Sequence, residues 1–290
     1  MAKSFKFTKM QGLGNDFILV DAAELGNAIL GLTDICTLSD LAVRLCDRNF
    51  GVGADGLIVV NPDDMMTSDT DFVWRIINSD GSEPQMCGNG IRCFARYLVD
   101  KGLTTLKKFS VNTLAGKIIP EVLDDGTVKV DMGAPVLEPC LIPVSTGQRK
   151  FEIIALDKKF EVNAVSMGNP HCVIFTDEAS EELAVKYGPS IEINPVFPEK
   201  TNVEFVKVLS KNHLKIDVWE RGCGITLACG TGTCATVVAA ILNGLVENAK
   251  KIKCDLPGGT LTIEWSGNVQ DHVFMTGAAN FVFEGVYPIK

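Results

Sequence analysis

The chain has 290 residues, of which 46% are hydrophobic and 22% charged, and its formal net charge at pH 7 is −9. This composition is typical of a globular protein with room for two domains, and the negative charge argues against nucleic-acid or anionic-membrane partners. Because no apolar run approaches the roughly 20 residues of a membrane span and the N-terminus lacks a signal-peptide pattern, the sequence predicts a cytoplasmic protein.

The first half of the chain predicts mainly strands. Alternating or continuous apolar residues place them near 5–9, 17–21, 57–60, 73–78, 109–113, 117–123 and 127–132, with a short amphipathic helix near 38–46. The glycine-rich segment 51–56 lacks the strand and helix order of a dinucleotide-binding motif. The sequence therefore does not predict a nucleotide-binding site.

Prolines at 135, 139 and 143 mark a linker. The second half of the chain then repeats the order of strands and helices of the first half. Strands are predicted near 160–167, 172–175, 203–209, 214–219, 261–265, 273–276 and 281–287, with a helix near 181–187. This order predicts an α+β fold rather than a doubly wound parallel sheet. We place the domains at residues 1–132 and 133–276.

A cysteine followed by glycines stands before an apolar helix in each half. Cys87 precedes a helical pattern at 91–98, and Cys229, 142 positions later, precedes one at 234–242. Other short matches recur in the same order, which indicates a duplicated domain. Each copy is predicted to be a curled, mainly antiparallel sheet around a central apolar helix, and the two copies to be pseudo-symmetric.

The ten cysteines show no spacing typical of a metal or dithiol site. No two form a C-x-x-C pair, and the three histidines are scattered, so zinc-ribbon and thioredoxin-type sites are excluded and no metal is predicted. In a reducing compartment most cysteines are small buried apolar residues. Only Cys87 and Cys229 differ, because glycines and a helix start follow them.

These two cysteines suggest a chemistry. Backbone N–H groups at a helix N-terminus favour negative charge, so they can bind a carboxylate and lower the pKa of a thiol. Two such half-sites on facing domains would offer a base and an acid to opposite faces of one carbon, as inversion of a stereocentre requires. The alternative is a pair of structural cysteines, but the adjacent glycines, which let a ligand approach the backbone, argue against it.

Segments along the whole chain resemble diaminopimelate epimerase, at 10–17, 78–82, 87–93, 167–171, 202–205, 220–222 and 228–232. That family is a group of isomerases, independent of pyridoxal phosphate and other cofactors, that interconvert LL- and meso-2,6-diaminopimelate in lysine and peptidoglycan-precursor biosynthesis. The resemblance implies the same activity on this small-molecule substrate, a homodimer, and a C-terminal strand, 277–290, that returns to the first domain.

The resemblance also implies the site residues. The acid/base pair would be Cys87 and Cys229. The N–H groups for the reacting carboxylate would come from Gly88, Asn89, Gly230 and Thr231. The reacting ammonium would lie near Asn15 and Glu220, and the distal amino-acid head would be held by Asn78, Asn169, Asn202 and Arg221. Amides can donate to a carboxylate or accept from an ammonium, and arginine forks onto a carboxylate. His171 is interpreted as structural or as a neighbour of the site.

Two positions depart from the family pattern, and both concern the ammonium site. Gly56 stands where many members have glutamine, and Ile225 stands where glutamate is usual. Two alternatives remain open at this point. One is a related two-thiol racemase acting on proline or hydroxyproline, which would have no use for Arg221 as a distal clamp. The other is an amino-acid-binding or dithiol redox protein, which would leave the α-hydrogen of the substrate in place.

Overall fold

The computed structural model describes residues 4–28, 35–61, 69–178 and 180–289. They form two compact units, one of Met1–Val130 with Gly277–Lys290 and one of Asp131–Thr276. Each unit is a sheet with helices packed on it, so the predicted α+β fold is confirmed. Within the described ranges, no helix is long and apolar enough to cross a membrane.

The elements of the first unit are short. Its strands are β1 (Ser4–Gly12), β2 (Asn15–Asp21), β3 (Gly56–Val60), β4 (Phe72–Asn78), β5 (Val111–Thr113), β6 (Gly116–Ile118), β7 (Pro120–Val122), β8 (Val128–Asp131) and, from the end of the chain, β18 (Asn280–Pro288). Its helices are α1 (Ala22–Ala28), α2 (Ile35–Cys46) and α3 (Gly88–Asp100).

The second unit opens with a 3-10 turn at Pro139–Leu141. Its strands are β9 (Lys150–Ala155), β10 (Lys158–Ser166), β11 (Pro170–Phe175), β12 (Asn202–Ser210), β13 (His213–Glu220), β14 (Gly224–Thr226), β15 (Lys251–Leu256), β16 (Gly259–Glu264) and β17 (Phe274–Gly277). Its helices are α4 (Ser180–Glu192) and α5 (Gly230–Leu242).

The sheet of the first unit runs in the order β18-β1-β2-β3-β4-β5-β6. Its neighbours are antiparallel except for two parallel pairs, β2–β3 and β4–β5. Parallel neighbours need a crossover connection, usually a helix. Helix α2 lies in the connection of the first parallel pair and α3 in that of the second.

The sheet of the second unit repeats this plan as β9-β10-β11-β12-β13-β15-β16, followed by β17. Its parallel pairs, β11–β12 and β13–β15, are joined by α4 and α5. The two orders match strand for strand, except that the edge strand is β9 in one unit and the C-terminal β18 in the other. The predicted pseudo-symmetric, mainly antiparallel plan is thus confirmed.

Helix α5 has no polar face, and its own sheet surrounds it. It contacts β10, β11 and β12 towards one end of the strand order and β16 near the other, so the sheet curls around the helix. All residues from 232 to 240 are buried. Helix α3 takes the corresponding place, with Phe94 edge-on against Trp74 at 5.7 Å between ring centroids. Burying one such side chain stabilises the fold by roughly 1.5–3 kcal/mol.

The structure corrects several predicted elements. The strand predicted at 117–123 is two strands, β6 and β7, which break before Pro120 because proline has no N–H to donate. Strands β9, β14 and β15 and helix α1 were not predicted. In Lys251–Leu256 charged and apolar residues alternate, and exposure alternates with them, so the period-2 pattern of a strand was present in the sequence.

Candidate active site

Cys87 and Cys229 are the N-cap residues of two 13-residue helices, α3 and α5. Both have extended backbone, with φ −138° and ψ 116° at Cys87 and φ −116° and ψ 113° at Cys229. Each sulfur accepts a backbone hydrogen bond, from Gly90 N at 3.5 Å and from Gly232 N at 3.4 Å. The thiols therefore stand where a serine or aspartate oxygen usually caps a helix, beside first-turn N–H groups that have no partner within the helix.

The third residue is glycine in both helices, but different groups fill the space that a side chain would need. A Cβ at Gly90 would come within 3.2 Å of Trp74 and Ile76, so close apolar packing excludes it. A Cβ at Gly232 would lie 2.5 Å from Glu204 Oε1 and 3.2 Å from Cys229 Sγ. The absence of a side chain at Gly232 therefore leaves room for both the Glu204 carboxylate and the Cys229 thiol at the start of α5.

The surroundings of Cys87 form a chain of oriented amides. Cys87 Sγ lies 3.8 Å from Asn15 Oδ1, which also accepts from Asn89 Nδ2 at 3.2 Å. Asn15 Nδ2 donates to Asp55 Oδ2 at 2.7 Å, and Arg92 Nη2 donates to Asn89 Oδ1 at 2.9 Å. A carboxylate can only accept hydrogen bonds and a guanidinium can only donate them. The side-chain amide orientations of Asn15 and Asn89 are therefore fixed. The oxygen of Asn15 faces the thiol.

Charged side chains hold Asp55 in place. Arg48 Nη2 contacts Asp55 Oδ1 at 2.9 Å and Asp16 Oδ1 at 2.8 Å, and Lys9 Nζ contacts Asp16 Oδ2 at 2.8 Å. Burial acts to raise the pKa of Asp16, but hydrogen bonds from Arg48, Lys9 and Asp55 outweigh burial and lower this pKa to about 2. The network fixes the β1–β2 turn that carries Asn15.

Cys229 has a more enclosed position, with 6% of its surface exposed. Burial raises the pKa of this thiol well above its usual value, and the carboxylates of Glu220 and Glu204 raise it further. Thr231 Oγ1, 3.5 Å from the sulfur, and the Gly232 N–H offset this effect only in part. The helix start does act to lower the pKa of Cys229, as expected, but burial and the two carboxylates outweigh this effect.

The Glu220 carboxylate contacts the thiol of Cys229. Burial raises its pKa, while hydrogen bonds from Thr226 and Cys229 lower the pKa in part. Thr226 Oγ1 donates to Glu220 Oε1 at 2.5 Å and holds the carboxylate in place. A carboxylate with a raised pKa in contact with a thiol is suited to exchange a proton with it. The structure thus places Glu220 against the thiol, whereas its predicted contact with an ammonium stays a prediction.

The residues predicted for the distal head have different partners. Asn202 Oδ1 accepts from Arg221 N at 2.9 Å and Asn202 Nδ2 donates to Pro170 O at 2.9 Å, so this amide holds the turn that carries Arg221. Arg221 is exposed and donates through Nη1 to Glu199 O at 2.9 Å. In the other unit Asn78 Nδ2 donates to Ser82 Oγ at 2.9 Å. Their contacts with a substrate stay predictions.

Asn169 completes the predicted set in the second unit. Its Oδ1 lies 3.0 Å from His171 Nε2, and His171 Nδ1 lies 2.7 Å from Glu204 Oε1. The histidine therefore contacts one of the predicted site residues and a buried carboxylate. In the described part of the chain no cluster of three or more His, Cys, Asp or Glu side chains is arranged to hold a metal ion.

The residues that orient these groups were not predicted from the sequence: Asp55, Arg92, Glu204 and Thr226. A signal was present for two of them. Glu204 is a charged residue within a run of apolar strand residues, and Arg92 occupies the apolar pattern of α3. Both are completely buried, and buried charges are retained only with specific partners.

Comparisons with known proteins identify the family of the chain. The chain matches the family model for diaminopimelate epimerase over residues 7–138 and 163–282. It is 51% identical over 285 residues to the diaminopimelate epimerase of Carboxydothermus hydrogenoformans, covering 97% of this chain and 99% of that one. To the chloroplastic diaminopimelate epimerase of Oryza sativa subsp. japonica it is 49% identical over 296 residues, covering 98% and 80%.

Similarity to solved structures extends to more distant proteins. A hydroxyproline epimerase from Agrobacterium vitis, with bound trans-4-hydroxy-L-proline, superposes with a TM-score of 0.66, covering 100% of this chain and 94% of that one. At 14% sequence identity this likeness shows a shared fold alone. The family-model match and the identity to curated relatives are far more specific, and on that evidence the chain belongs to the diaminopimelate epimerase family.

Proposed function

We propose that the chain is an isomerase that interconverts LL- and meso-2,6-diaminopimelate by removing and returning the proton at one α-carbon, without pyridoxal phosphate or another cofactor. The observation that carries this proposal is family membership at 46–51% identity over 97–98% of the chain. The matching N-cap positions of Cys87 and Cys229 support it. The product would supply lysine and peptidoglycan-precursor biosynthesis.

The proposed chemistry uses the two thiols in opposite roles. Glu220 accepts the proton of Cys229, and the thiolate so formed removes the α-proton at the reacting stereocentre of one diastereomer. Cys87 delivers its thiol proton to the other face of the carbon, and the reverse reaction exchanges these roles. The N–H groups at the starts of α3 and α5 bind the α-carboxylate and stabilise the charge that develops on it.

Selectivity for a two-headed substrate is assigned to Arg221. Its guanidinium stands on a turn whose backbone is held by Asn202, and the group is exposed and can fork onto a distal carboxylate. Proline and hydroxyproline have no distal carboxylate. The likeness to a hydroxyproline epimerase is one of fold alone, so the racemase stays the second candidate.

We further propose a cytoplasmic homodimer. Strand β18 lies at the edge of its sheet and exposes Val282, Phe283 and Val286, with exposed fractions of 52%, 46% and 62%. Exposed apolar clusters of this kind often mark association surfaces. Sedimentation equilibrium would give twice the chain mass of 31.3 kDa if the dimer forms. A single species at the chain mass across micromolar concentrations would contradict it.

The decisive experiment is incubation of the purified protein with LL-diaminopimelate in D₂O. We expect the meso isomer to appear together with deuterium at the α-carbon, as followed by chiral chromatography and proton NMR. L-Proline and L-lysine are the comparison substrates and should remain unchanged. Retention of both configuration and α-hydrogen in diaminopimelate would refute the proposal, and preferential exchange of proline would favour the racemase.

A further inference from the structure

We propose that Glu204 is a positioning residue that acts through His171 on the Asn169 side-chain amide and turns the NH₂ group of that amide towards the ligand. The inference rests on the proposed function in one respect, the assignment of Asn169 to the substrate's distal head. The geometry that carries it lies wholly within the second unit, on β11 and β12 and the turn before β11.

Glu204 and His171 form a pair without solvent contact. Both side chains are 0% exposed, and Glu204 Oε1 lies 2.7 Å from His171 Nδ1. The second carboxylate oxygen, Oε2, has no hydrogen-bond partner. On the other side of the ring, Nε2 faces Asn169 Oδ1 at 3.0 Å, and Asn169 is partly exposed. The three side chains thus lead from a buried carboxylate to an amide that can reach a ligand.

The number of protons on the pair decides how the amide is turned. A fully buried pair is far less costly when its net charge is zero. Zero net charge is reached either by an imidazolium beside a carboxylate or by a neutral ring that accepts at Nδ1 from a protonated Glu204. In both arrangements His171 Nε2 carries a hydrogen. The ring therefore donates to Asn169 Oδ1.

This donation fixes the role of Asn169. Its oxygen is engaged by the ring, so its Nδ2 turns away from the ring with two hydrogens to donate. An NH₂ group suits a substrate carboxylate and not an ammonium. If the pair lacked the proton, Nε2 would accept, the amide would turn over, and Asn169 would present its oxygen. Glu204 thereby selects which charged group of the substrate Asn169 can bind.

Glu204 also lies beside the Cys229 half-site. Its Oε1 occupies the space above Gly232, and its charge helps to raise the pKa of the thiol. A role exerted only through that thiol would alter kcat and would be independent of Asn169. The positioning role predicts a change in KM that requires Asn169. The two roles are therefore separable by kinetics.

The kinetic test is a double-mutant cycle in the full-length protein with diaminopimelate as substrate. In Glu204→Gln the pair no longer requires a hydrogen on His171 Nε2, so the Asn169 amide can adopt either orientation. We expect a loss of about tenfold in kcat/KM, carried by KM, as for one good hydrogen bond to a charged group. In an Asn169→Ala background the same substitution should change KM less than about twofold, because coupled residues are non-additive.

The matched control is Asp217→Asn, which removes a buried carboxylate from the neighbouring strand β13, where Asp217 pairs with Phe205 and accepts from Ser180. It should leave KM unchanged even if it lowers stability. Equal effects of Glu204→Gln with and without Asn169, or an unchanged KM, would overturn the proposal.

A second measurement does not depend on activity. The chain has three histidines, so the ring nitrogens can be assigned by ¹⁵N NMR with His171→Gln as the reference. The parent protein should show a protonated His171 Nε2, and Glu204→Gln should show a mixture or protonation at Nδ1. An unprotonated Nε2 in the parent would overturn the inference. Failure to epimerise diaminopimelate would instead refute the proposed function and leave this result standing.

Discussion

Cys87 and Cys229 hold the same backbone position but have different neighbours. Cys87 faces the amide oxygen of Asn15, whereas Cys229 is buried with the Glu220 carboxylate against it. An amide oxygen only accepts a hydrogen bond, while a carboxylate with a raised pKa can also take up the proton. The two cysteines are therefore equivalent in backbone position and unequal in chemical surroundings.

Replacing either cysteine by serine should lower kcat for epimerisation by about 10²–10⁴-fold, the contribution of one general acid or base. A hydroxyl is far too weak an acid to serve as the base, while the N-cap hydrogen bond would survive the change. Coupled assays on purified Cys87→Ser and Cys229→Ser measure the loss. Exposed Cys140 is the control, because Cys140→Ser should keep full activity. Near-normal turnover in either active-site variant would contradict the assignment.

Asp55→Asn should release the Asn15 amide. Its carboxylate accepts from Asn15 Nδ2, and an asparagine can donate there as well as accept, so the oxygen of Asn15 would no longer be directed at Cys87. We expect a loss of about tenfold in kcat/KM, because hydrogen bonds to charged groups contribute roughly 1.5–3 kcal/mol. Steady-state kinetics check this, with exposed Asp100→Asn as the control. A variant with parental kinetics would show that Asn15 keeps its orientation without the carboxylate.

Arg221→Met should raise KM for diaminopimelate by roughly 10–100-fold, since one charged hydrogen-bonding partner of the distal carboxylate is lost. Methionine keeps most of the apolar length of the side chain. Activity on lysine, which lacks the distal carboxylate, should be poor in the parent and little changed in the variant. Equal KM values for the parent and Arg221→Met would place the clamp elsewhere.

At the scale of elements, each predicted half-site depends on a helix that begins directly after a cysteine. Helices α3 and α5 can begin there because the residues of their first turn are small enough for a close approach. At Gly232 the free space is taken by Glu204 and by the thiol itself. The glycines that suggested a ligand therefore also serve the packing of the helix starts.

Gly232→Ala should destabilise the protein by about 1–3 kcal/mol, the usual cost of overpacking, because its Cβ would lie 2.5 Å from Glu204 Oε1. Activity should fall as well, since the thiol lies 3.2 Å from the same position. Urea unfolding gives the free energy. The control is Gly26→Ala in α1, where a Cβ meets nothing within 4 Å and the change should be neutral or stabilising. Equal free energies of unfolding for Gly232→Ala and Gly26→Ala would contradict this prediction.

At the scale of the whole molecule, resistance to acid should depend on the charge network around Asp16. The pKa of this carboxyl is about 2 in the folded state and 3.8 without its partners. Below pH 3.8 the unfolded chain binds a proton that the folded protein does not. The stabilisation is therefore complete above pH 3.8 and is lost as pH falls through about 2.

Asp16→Asn should remove this dependence. We expect the free energy of unfolding of the parent to fall by about 1 kcal/mol more than that of the variant between pH 5 and pH 2.5, after allowance for screening of the exposed Arg48. Tryptophan fluorescence in urea at several pH values measures the difference. Asp124→Asn, at a carboxylate 94% exposed, should follow the parent. Parallel curves for Asp16→Asn and the parent would show that Asp16 is not the responsible group.

Much of this protein was determined by local sequence. Apolar periodicity gave most strands and the two enclosed helices, because strands and helices repeat every 2 and 3.6 residues. Glycines after Cys87 and Cys229 indicated helix starts with room for a ligand, and the offset of 142 residues between them indicated duplication. These features depend on residues that are neighbours in the chain, so they can be read without the fold.

The tertiary structure decided what depends on distant residues. Glu204 meets His171 from 33 positions away, Asp55 meets Asn15 from 40, and the C-terminal strand pairs with β1. The raised pKa of Cys229 likewise follows from burial, which outweighs the local effect of the helix start. Amide orientation and thiol protonation are set by whatever the fold packs against them. The sequence therefore pointed to the two cysteines, and only the packing of the strands around them decided the chemical surroundings of each thiol.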